Sequence, residues 1–477
     1  MEKRTRNLIR NTSILTITNF SSKLLVFLLV PLYTHVLTTE EYGTYDLVMS
    51  TIQLLIPMFT LNVADAVLRF SMNKDVEINK IKSIGFRYIA MSVVYMCVLI
   101  LLNKLLRLWT AIKGLEITVL LYFAFFVMNQ VLIQTAKGQE QIKQLGIAGL
   151  LSTGVSIIGN IVFLLIIPLR LKGFFLAYTL GLVASVLYLT YETKFFSGLS
   201  FRIDQNLKKK MLVYSVPLIM GTLGWLVNNV SDRYVVTWLC GISENGIYSI
   251  AYKIPNIIAT VQNIFIQAWT ISAIKEFNQN NRNTFYANMF KYMNALMVCC
   301  CSGLIFTTKL VSMLLFAKEF YGAWQYVPFL LVSVVFGASS GFIGPILSAK
   351  MDSKSLATST VIGAFINLVL NITLIPIIGP QGAAVATAIS NLFIYIYRRK
   401  AIGKMLYSSS YTKIMLSWIL VIIQAIFMVL EFKFVYQLPL IILLLAIYRQ
   451  ENLRILNKFL CGFDRKNGGH LSCGLKK

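Results

Sequence analysis

From residue 11 to residue 449 the chain is a succession of apolar stretches, most about twenty residues long, parted by short polar breaks. A helix needs about 20 mostly apolar residues to cross a bilayer. By that yardstick about fourteen segments qualify: 11–33, 44–66, 83–103, 115–136, 146–168, 173–191, 212–239, 247–273, 288–307, 326–347, 356–377, 381–397, 413–431 and 434–449. The sixth, twelfth and fourteenth are short. Inside lipid every backbone polar group must be satisfied within its own segment, so these read as helices and not as strands. The composition agrees, with 57% hydrophobic and 13% charged residues, where a soluble chain carries roughly a quarter charged. The expectation is an all-α polytopic membrane protein with about 14 transmembrane helices. The basic start MEKRTRNLIR leads into a full-length apolar segment without an A-x-A cleavage site, so it reads as the first span and not as a secretory signal.

The formal net charge is +25. In a soluble protein such a charge would point to nucleic acid. Here its distribution gives another reason. With the N-terminus in the cytoplasm and alternating spans, lysines and arginines fall on the cytoplasmic side by roughly four to one. That is the direction of the positive-inside rule, and it predicts cytoplasmic N- and C-termini and an even number of spans. No nucleic-acid partner is expected. The seven cysteines form no disulfide framework: Cys97, Cys299, Cys300 and Cys301 fall within spans and Cys240 at the end of one. Cys461 and Cys473 lie in a cytoplasmic tail, where thiols stay reduced. The tail segment CGFDRKNGGHLSC, with His470, falls short of the four closely spaced ligands of a zinc site.

The chain also repeats itself. THVLTTEEYGTYDL at 34–47 returns as TWLCGISENGIYSI at 237–250, with Thr34, Glu41, Gly43 and Tyr45 matched by Thr237, Glu244, Gly246 and Tyr248 at an offset of 203. Other matches keep nearly that offset: Ala136-Lys137 with Ala349-Lys350, and Pro168 and Gly173 with Pro376 and Gly382. Each half holds six spans in the same orientation, a parallel repeat about an axis along the membrane normal. The expected organisation is an N-terminal six-helix lobe at 1–200, a second at 201–405, two extra helices at 406–450 and a basic tail at 451–477. Two such lobes enclose a cavity whose access alternates as one rocks against the other. Gly43 and Gly246 are expected to supply positive φ for tight outer reversals, and Tyr45 and Tyr248 to anchor helix ends at the interface.

Ionisable groups inside a membrane are costly and point to function. Lys23 falls in the first span, Asp65 near the inner end of the second, Asp232 and Arg233 in the seventh and Lys253 in the eighth. Arg87 and Lys291 lie close enough to helix ends to snorkel, and Asp65 has that option or a pairing with Arg69 one turn on. Neighbours on a helix point about 100° apart, so Asp232 and Arg233 need not bind each other. One reading has Asp232 neutralising a cation on another span. The other has Arg233 and Lys23 facing the cavity to hold an anion, with Asp232 tuning the site, since arginine suits phosphate. Asn19, Asn62, Asn228, Asn229, Asn263 and Gln267 add polar atoms that suit either sugar hydroxyls or helix–helix hydrogen bonds. No phosphate loop, H-E-x-x-H or G-x-S-x-G motif occurs. The expected external loops are short and poor in carboxylates, Asp46 being one of six external acids. This pattern disfavours a glycosyltransferase or polymerase and favours a carrier, not an enzyme.

Three segments then resemble a known family. NTSILTITNFSSKLLVFLLVPLYTHVLTTEEYGTYDL looks like the opening of bacterial polysaccharide repeat-unit flippases of the Wzx type. These belong to the multidrug/oligosaccharidyl-lipid/polysaccharide exporter superfamily. SDRYVVTWLCGISENGIYSIAYKI is similar to that family's second-lobe signature, and NLVLNITLIPIIGPQGAAVATAISN to its signature around spans eleven and twelve. The resemblance covers essentially the whole chain. It implies transport of an undecaprenyl-pyrophosphate-linked oligosaccharide, for O-antigen or capsule, from the cytoplasmic to the outer face of the cytoplasmic (inner) membrane. It further implies no cofactor, drive by a proton or sodium gradient, and, as partners, membrane lipids with a polysaccharide polymerase and chain-length proteins. It carries substrate binding to Arg233, Lys23 and Lys253, and ion coupling to Asp232 and Asp65. Two relatives of this function compete: an organic-cation antiporter, which would want a more acidic and aromatic cavity, and a flippase for a lipid II-like cell-wall precursor.

Overall fold

The computed structural model describes residues 20–454 apart from 74, 108, 201 and 407–410. The basic start, Asn19 and the cysteine-bearing tail with His470 therefore lie outside the described residues, as does the side chain of Asn228. Among the described residues there are helices and no strands. In chain order the helices are α1 Phe20–Val36, α2 Thr39–Thr60, α3 Val63–Ser71, α4 Ile78–Leu106 and α5 Glu116–Gly138. Then come α6 Ile142–Ile166, α7 Arg170–Glu192, α8 Gln205–Cys240, α9 Ile242–Ala251 and α10 Lys253–Glu276. The last six are α11 Arg282–Leu315, α12 Val327–Ala349, α13 Ser353–Ile378, α14 Gln381–Ile402, α15 Tyr411–Val429 and α16 Gln437–Ile447.

Among the described residues, from 20 onward, the expected segments fall on helix apart from the residues at their ends and breaks. Among the described residues nine helices are long and apolar enough to cross a membrane, or up to eleven if each of two bent pairs is one span. The chain is thus a multi-pass membrane protein of all-α class.

Local chemistry sets the helix ends. Thr38 and Glu41 form a capping box at the start of α2: the Thr38 hydroxyl accepts from the Glu41 amide at 3.2 Å, and Glu41 accepts from the Thr38 amide at 2.9 Å. Asp204 caps α8 through the Leu207 amide at 3.0 Å, and Asp352 caps α13 through Ser355 at 3.1 Å. Each cap satisfies an amide that would otherwise lack a partner.

Two spans break. Leu61 and Asn62 both take left-handed φ, 51° and 52°, and turn α3 by 60° from α2. The halves of α8, Gln205–Gly224 and Asn229–Cys240, meet at 50°. The breaks face each other, since Asn62 donates to the Thr222 hydroxyl at 3.0 Å. A broken span frees backbone groups at membrane depth, and neighbouring side chains must take them up.

The chain forms two compact units, unit 1 comprising residues 1–250 with 314–321 and unit 2 comprising 251–313 with 322–477. In unit 1 the helices pack through small residues: a Cβ on Gly159 would stand 3.1 Å from Ala177, and one on Gly181 would strike Ser156. Close backbone approach of this kind drives helix association in lipid. In unit 2, α12 is the centre, with 83% of its apolar window buried. The alanines of α14 at 383, 384 and 386 are fully buried.

Candidate functional site

The repeated segment is where the first-half and second-half sequences touch within unit 1. Gly43 lies in the first turns of α2 and Gly246 in those of α9, and neither has positive φ. The expected role for these glycines is therefore corrected. The reversal before α9 falls to Gly241, at φ 96°. Gly43 and Gly246 are needed instead because two backbones meet there. A Cβ on Gly43 would strike the Ile242 carbonyl and stand 3.0 Å from the Gly246 nitrogen, and a Cβ on Gly246 would strike the Thr39 carbonyl. Thr39 and Ile242 are themselves one repeat offset apart, so the contact is reciprocal, as between two copies related by a two-fold axis. Asn245 adds a hydrogen bond to the Gly43 carbonyl at 3.3 Å.

One turn deeper the same register brings Asp46 opposite Ser249, again 203 residues apart, and the Ser249 hydroxyl donates to Asp46 Oδ2 at 2.6 Å. The same oxygen lies 2.7 Å from Arg233 Nε of α8, with the two side chains 17% and 18% exposed. Arg233 Nη1 also donates to the Asn229 carbonyl at 2.8 Å. Asp232, only 2% exposed, turns the other way and accepts from the Tyr248 hydroxyl at 3.1 Å. The adjacent residues Asp232 and Arg233 thus reach different partners, on α9 and α2. Next to this cluster the hydroxyls of Thr51 and Tyr234 lie 2.8 Å apart.

Tyr248 is fully buried, and Tyr45 packs among Phe174, Phe175 and Tyr178 with ring centroids 4.4, 5.4 and 6.0 Å away. Both tyrosines are packing residues of unit 1, contrary to the expected anchoring at a lipid interface. The ring of Tyr45 lies on the face through which α2 meets α7, and Tyr248 reaches α8 through Asp232.

The same end of unit 1 is laced by further polar contacts. Arg170 grips Glu41 with two hydrogen bonds of 2.7 and 2.8 Å. The Thr39 hydroxyl donates to Glu319 at 3.2 Å, Lys318 donates to the His35 carbonyl at 2.7 Å, and the Thr34 hydroxyl accepts from the Ala317 amide at 3.1 Å.

Of the five residues singled out from sequence, Arg233 and Asp232 fall in this cluster. Lys23 is exposed on α1, and Lys253 is half-buried as the first residue of α10 in unit 2. Asp65 is half-buried on α3, just past the break, and makes no ion pair with Arg69 one turn on. Asp46, one of the six acids expected outside, is the counter-ion of Arg233. Its signal was available, since it stands three residues after the repeated Gly43 as Ser249 stands three after Gly246. Chemically the cluster is one guanidinium, two carboxylates and two hydroxyls at a glycine joint. A proton on Asp46, or an anion competing for Arg233, would undo its central pair.

A family profile described as polysaccharide biosynthesis protein matches residues 8–271. Among curated proteins, a probable lipid II flippase MurJ of Helicobacter pylori is 23% identical over 263 residues, covering 52% of this chain and 56% of the relative. The MurJ of a second strain of that species is 23% identical over 261 residues, with 51% and 56% covered. The chain thus matches just over half the length of these relatives. Among solved structures, lipid II flippase MurJ in an inward closed conformation superposes with a TM-score of 0.69 at 15% identity, over 92% of this chain and 98% of that one. An inward-facing multidrug resistance MATE family transporter of the MOP superfamily gives 0.63 at 15% identity, over 81% and 96%. At such identities the superpositions show a shared fold.

Proposed function

The chain belongs to the polysaccharide biosynthesis protein family, and from that membership we propose that it is a flippase. Its substrate is an undecaprenyl-pyrophosphate-linked oligosaccharide repeat unit of an O-antigen or capsular polymer. It carries this from the cytoplasmic to the outer face of the inner membrane by alternating access, driven by a proton or sodium gradient, with both termini cytoplasmic. The six-plus-six-plus-two organisation is part of this proposal.

The observation that carries it is the Arg233–Asp46 pair at the glycine joint. In an otherwise apolar protein an ion pair at a two-fold contact is a fastening that can be undone. In the proposed cycle the pair holds the expected outer end shut. Protonation of Asp46 removes the charge that holds Arg233. The freed guanidinium then has bidentate donors for a diphosphate, while Asp232 stays bound to Tyr248 and keeps the helix oriented. Lys23 and Lys253 are proposed as further headgroup cations, and Asp65 as a second coupling carboxylate. A diphosphate–sugar headgroup cannot cross hydrocarbon without such partners.

The MurJ relatives favour a second reading, in which the lipid carries a cell-wall precursor in place of a polymer repeat unit. Both readings are tested by flipping of fluorescent polyprenyl-pyrophosphate sugars in proteoliposomes, with a lipid II analogue in parallel and with or without a gradient. Preference for the repeat-unit lipid, lost in folded Arg233→Ala, supports the first. Preference for the lipid II analogue supports the second. Transport of a cationic dye with neither lipid moved sinks both in favour of an antiporter.

A further inference from the structure

On α14 of unit 2, Arg398 is drawn into the notch between α12 and α13. Its Nε donates to the Ser359 hydroxyl at 2.9 Å, Nη1 to the Ser340 carbonyl at 3.0 Å and Nη2 to the Thr360 hydroxyl at 3.1 Å. The Ser359 and Thr360 hydroxyls each donate to the Leu356 carbonyl, at 2.8 and 3.0 Å. Their protons are spent, so they can only offer lone pairs to the guanidinium. All three partners of Arg398 are neutral. Among the described residues no carboxylate lies within ion-pair distance of it. Of the five N–H donors of an arginine, three are used here.

The surroundings do not balance the charge. Arg399 turns to the backbone carbonyls of Gly403 and Leu406, at 2.6 and 3.1 Å, and Lys350 to that of Ala401 at 2.9 Å. Lys354 and Lys400 are exposed on the same ends of α13 and α14. The acid at this end is Asp352. It is committed to capping Ser355 and to Lys350 at 3.6 Å, and the Ser355 amide and hydroxyl hold its carboxyl below the usual range. A half-buried guanidinium with only neutral partners, two donors in hand and an excess of like charge around it lacks an anion. Arginine is well suited to phosphate, and basic pockets between helix ends are where lipid phosphates are held.

We propose that Arg398, with Ser359, Thr360 and the Ser340 carbonyl fixing its plane, is a binding site for the phosphate of a lipid headgroup. The site lies at the α12–α13–α14 end of unit 2, the end expected to face the cytoplasm. Two lipids carry this chemistry there, a polyprenyl diphosphate and an anionic phospholipid. The site does not depend on the flippase reading, because it is tested by binding and not by transport.

The experiment is native mass spectrometry and lipid-induced melting shifts on the purified full chain in detergent. Undecaprenyl diphosphate and phosphatidylglycerol are the probes, with undecaprenol and diacylglycerol as phosphate-free controls. The variants are Arg398→Gln and Ser359→Asp. Ser359→Asp supplies an internal counter-ion, so it folds at least as stably as wild type yet loses at least tenfold in affinity for the phosphate lipids. Arg398→Gln shows the same loss. Stronger binding of the diphosphate identifies the carrier lipid as occupant, and stronger binding of phosphatidylglycerol identifies bulk phospholipid. If Arg398 is only a brace, folded Ser359→Asp binds both lipids like wild type, and that result overturns the proposal. So does a wild type that binds phosphate lipids no more tightly than the phosphate-free controls, a result that needs no variant.

Discussion

The polar cluster at the glycine joint of unit 1 and the polar network that docks the last two helices in unit 2 bury similar numbers of groups by opposite means. In unit 2 every member is neutral. Trp418 donates to Asn294 at 2.8 Å, Asn294 donates to the Tyr448 hydroxyl at 2.6 Å, and that hydroxyl lies 2.9 Å from Ser417. Deeper along α11 and α15, Ser302 donates to Gln424 at 2.7 Å and its carbonyl accepts back from Gln424 at 3.0 Å. None of these groups changes charge near neutral pH, and all are held at good length. In unit 1 the central contact is the ion pair of Arg233 with Asp46, the contact proposed to open. A membrane protein that must both hold together and move would keep its charges at the joint that opens and its neutral hydrogen bonds at the joint that does not.

That contrast can be broken most severely at the glycines. Gly246→Val pushes a branched side chain into the Thr39 carbonyl. It should cost about 3 kcal/mol, the upper range for overpacking, read as a lower unfolding midpoint in detergent. Wild-type stability would refute the close contact. Next comes the ion pair. Arg233→Ala leaves Asp46 with a hydroxyl alone and should cost about 2–3 kcal/mol, less than a fully buried pair, with flipping reduced about a hundredfold. Asp46→Asn keeps the Ser249 bond and should fold well while losing dependence on a proton gradient; retained dependence moves the coupling elsewhere.

Asn294→Ala strands the Trp418 donor and removes the donor to the Tyr448 hydroxyl, and should cost about 1–2 kcal/mol. Its flipping rate per folded molecule and the pH profile of that rate should match wild type, and a shifted profile would abolish the contrast. The smallest effect is at Asp352. Its carboxyl is stabilised as the anion in the fold, so its contribution is present above the pKa of the unfolded carboxyl and is lost as pH falls through the depressed folded value. Melting temperatures of wild type and Asp352→Ala should therefore differ at neutral pH and converge in acid.

Much of the fold was legible in the residues. The apolar segments, their helical character and the duplicated turn all follow from local pattern, and nine to eleven of the spans are found as such among the described residues. Arg233 and Asp232 were picked out because charge in an apolar run is conspicuous. Asp46 was not, because it borders a polar turn and looked external. Recurrence marks Gly43 and Gly246 as needed without saying for what. A glycine in sequence reads equally as a turn or as a close approach, and only a neighbour's position separates the two. The last two helices, read as an appendix, are fastened to α11 by side chains more than a hundred residues away.

By itself the sequence determined that this chain spans a membrane many times, in helices, and that it repeats a turn 203 residues on. Those conclusions depend on apolar length, backbone hydrogen bonding and self-similarity, all of which are properties of the chain read along its length. Only the tertiary structure decided which charges are paired, which glycines touch and that the partners of Arg398 are neutral. A side chain's partner is set by helix rotation and breaks such as that at Leu61 and Asn62, where one turn of difference sends a group to another neighbour or to lipid.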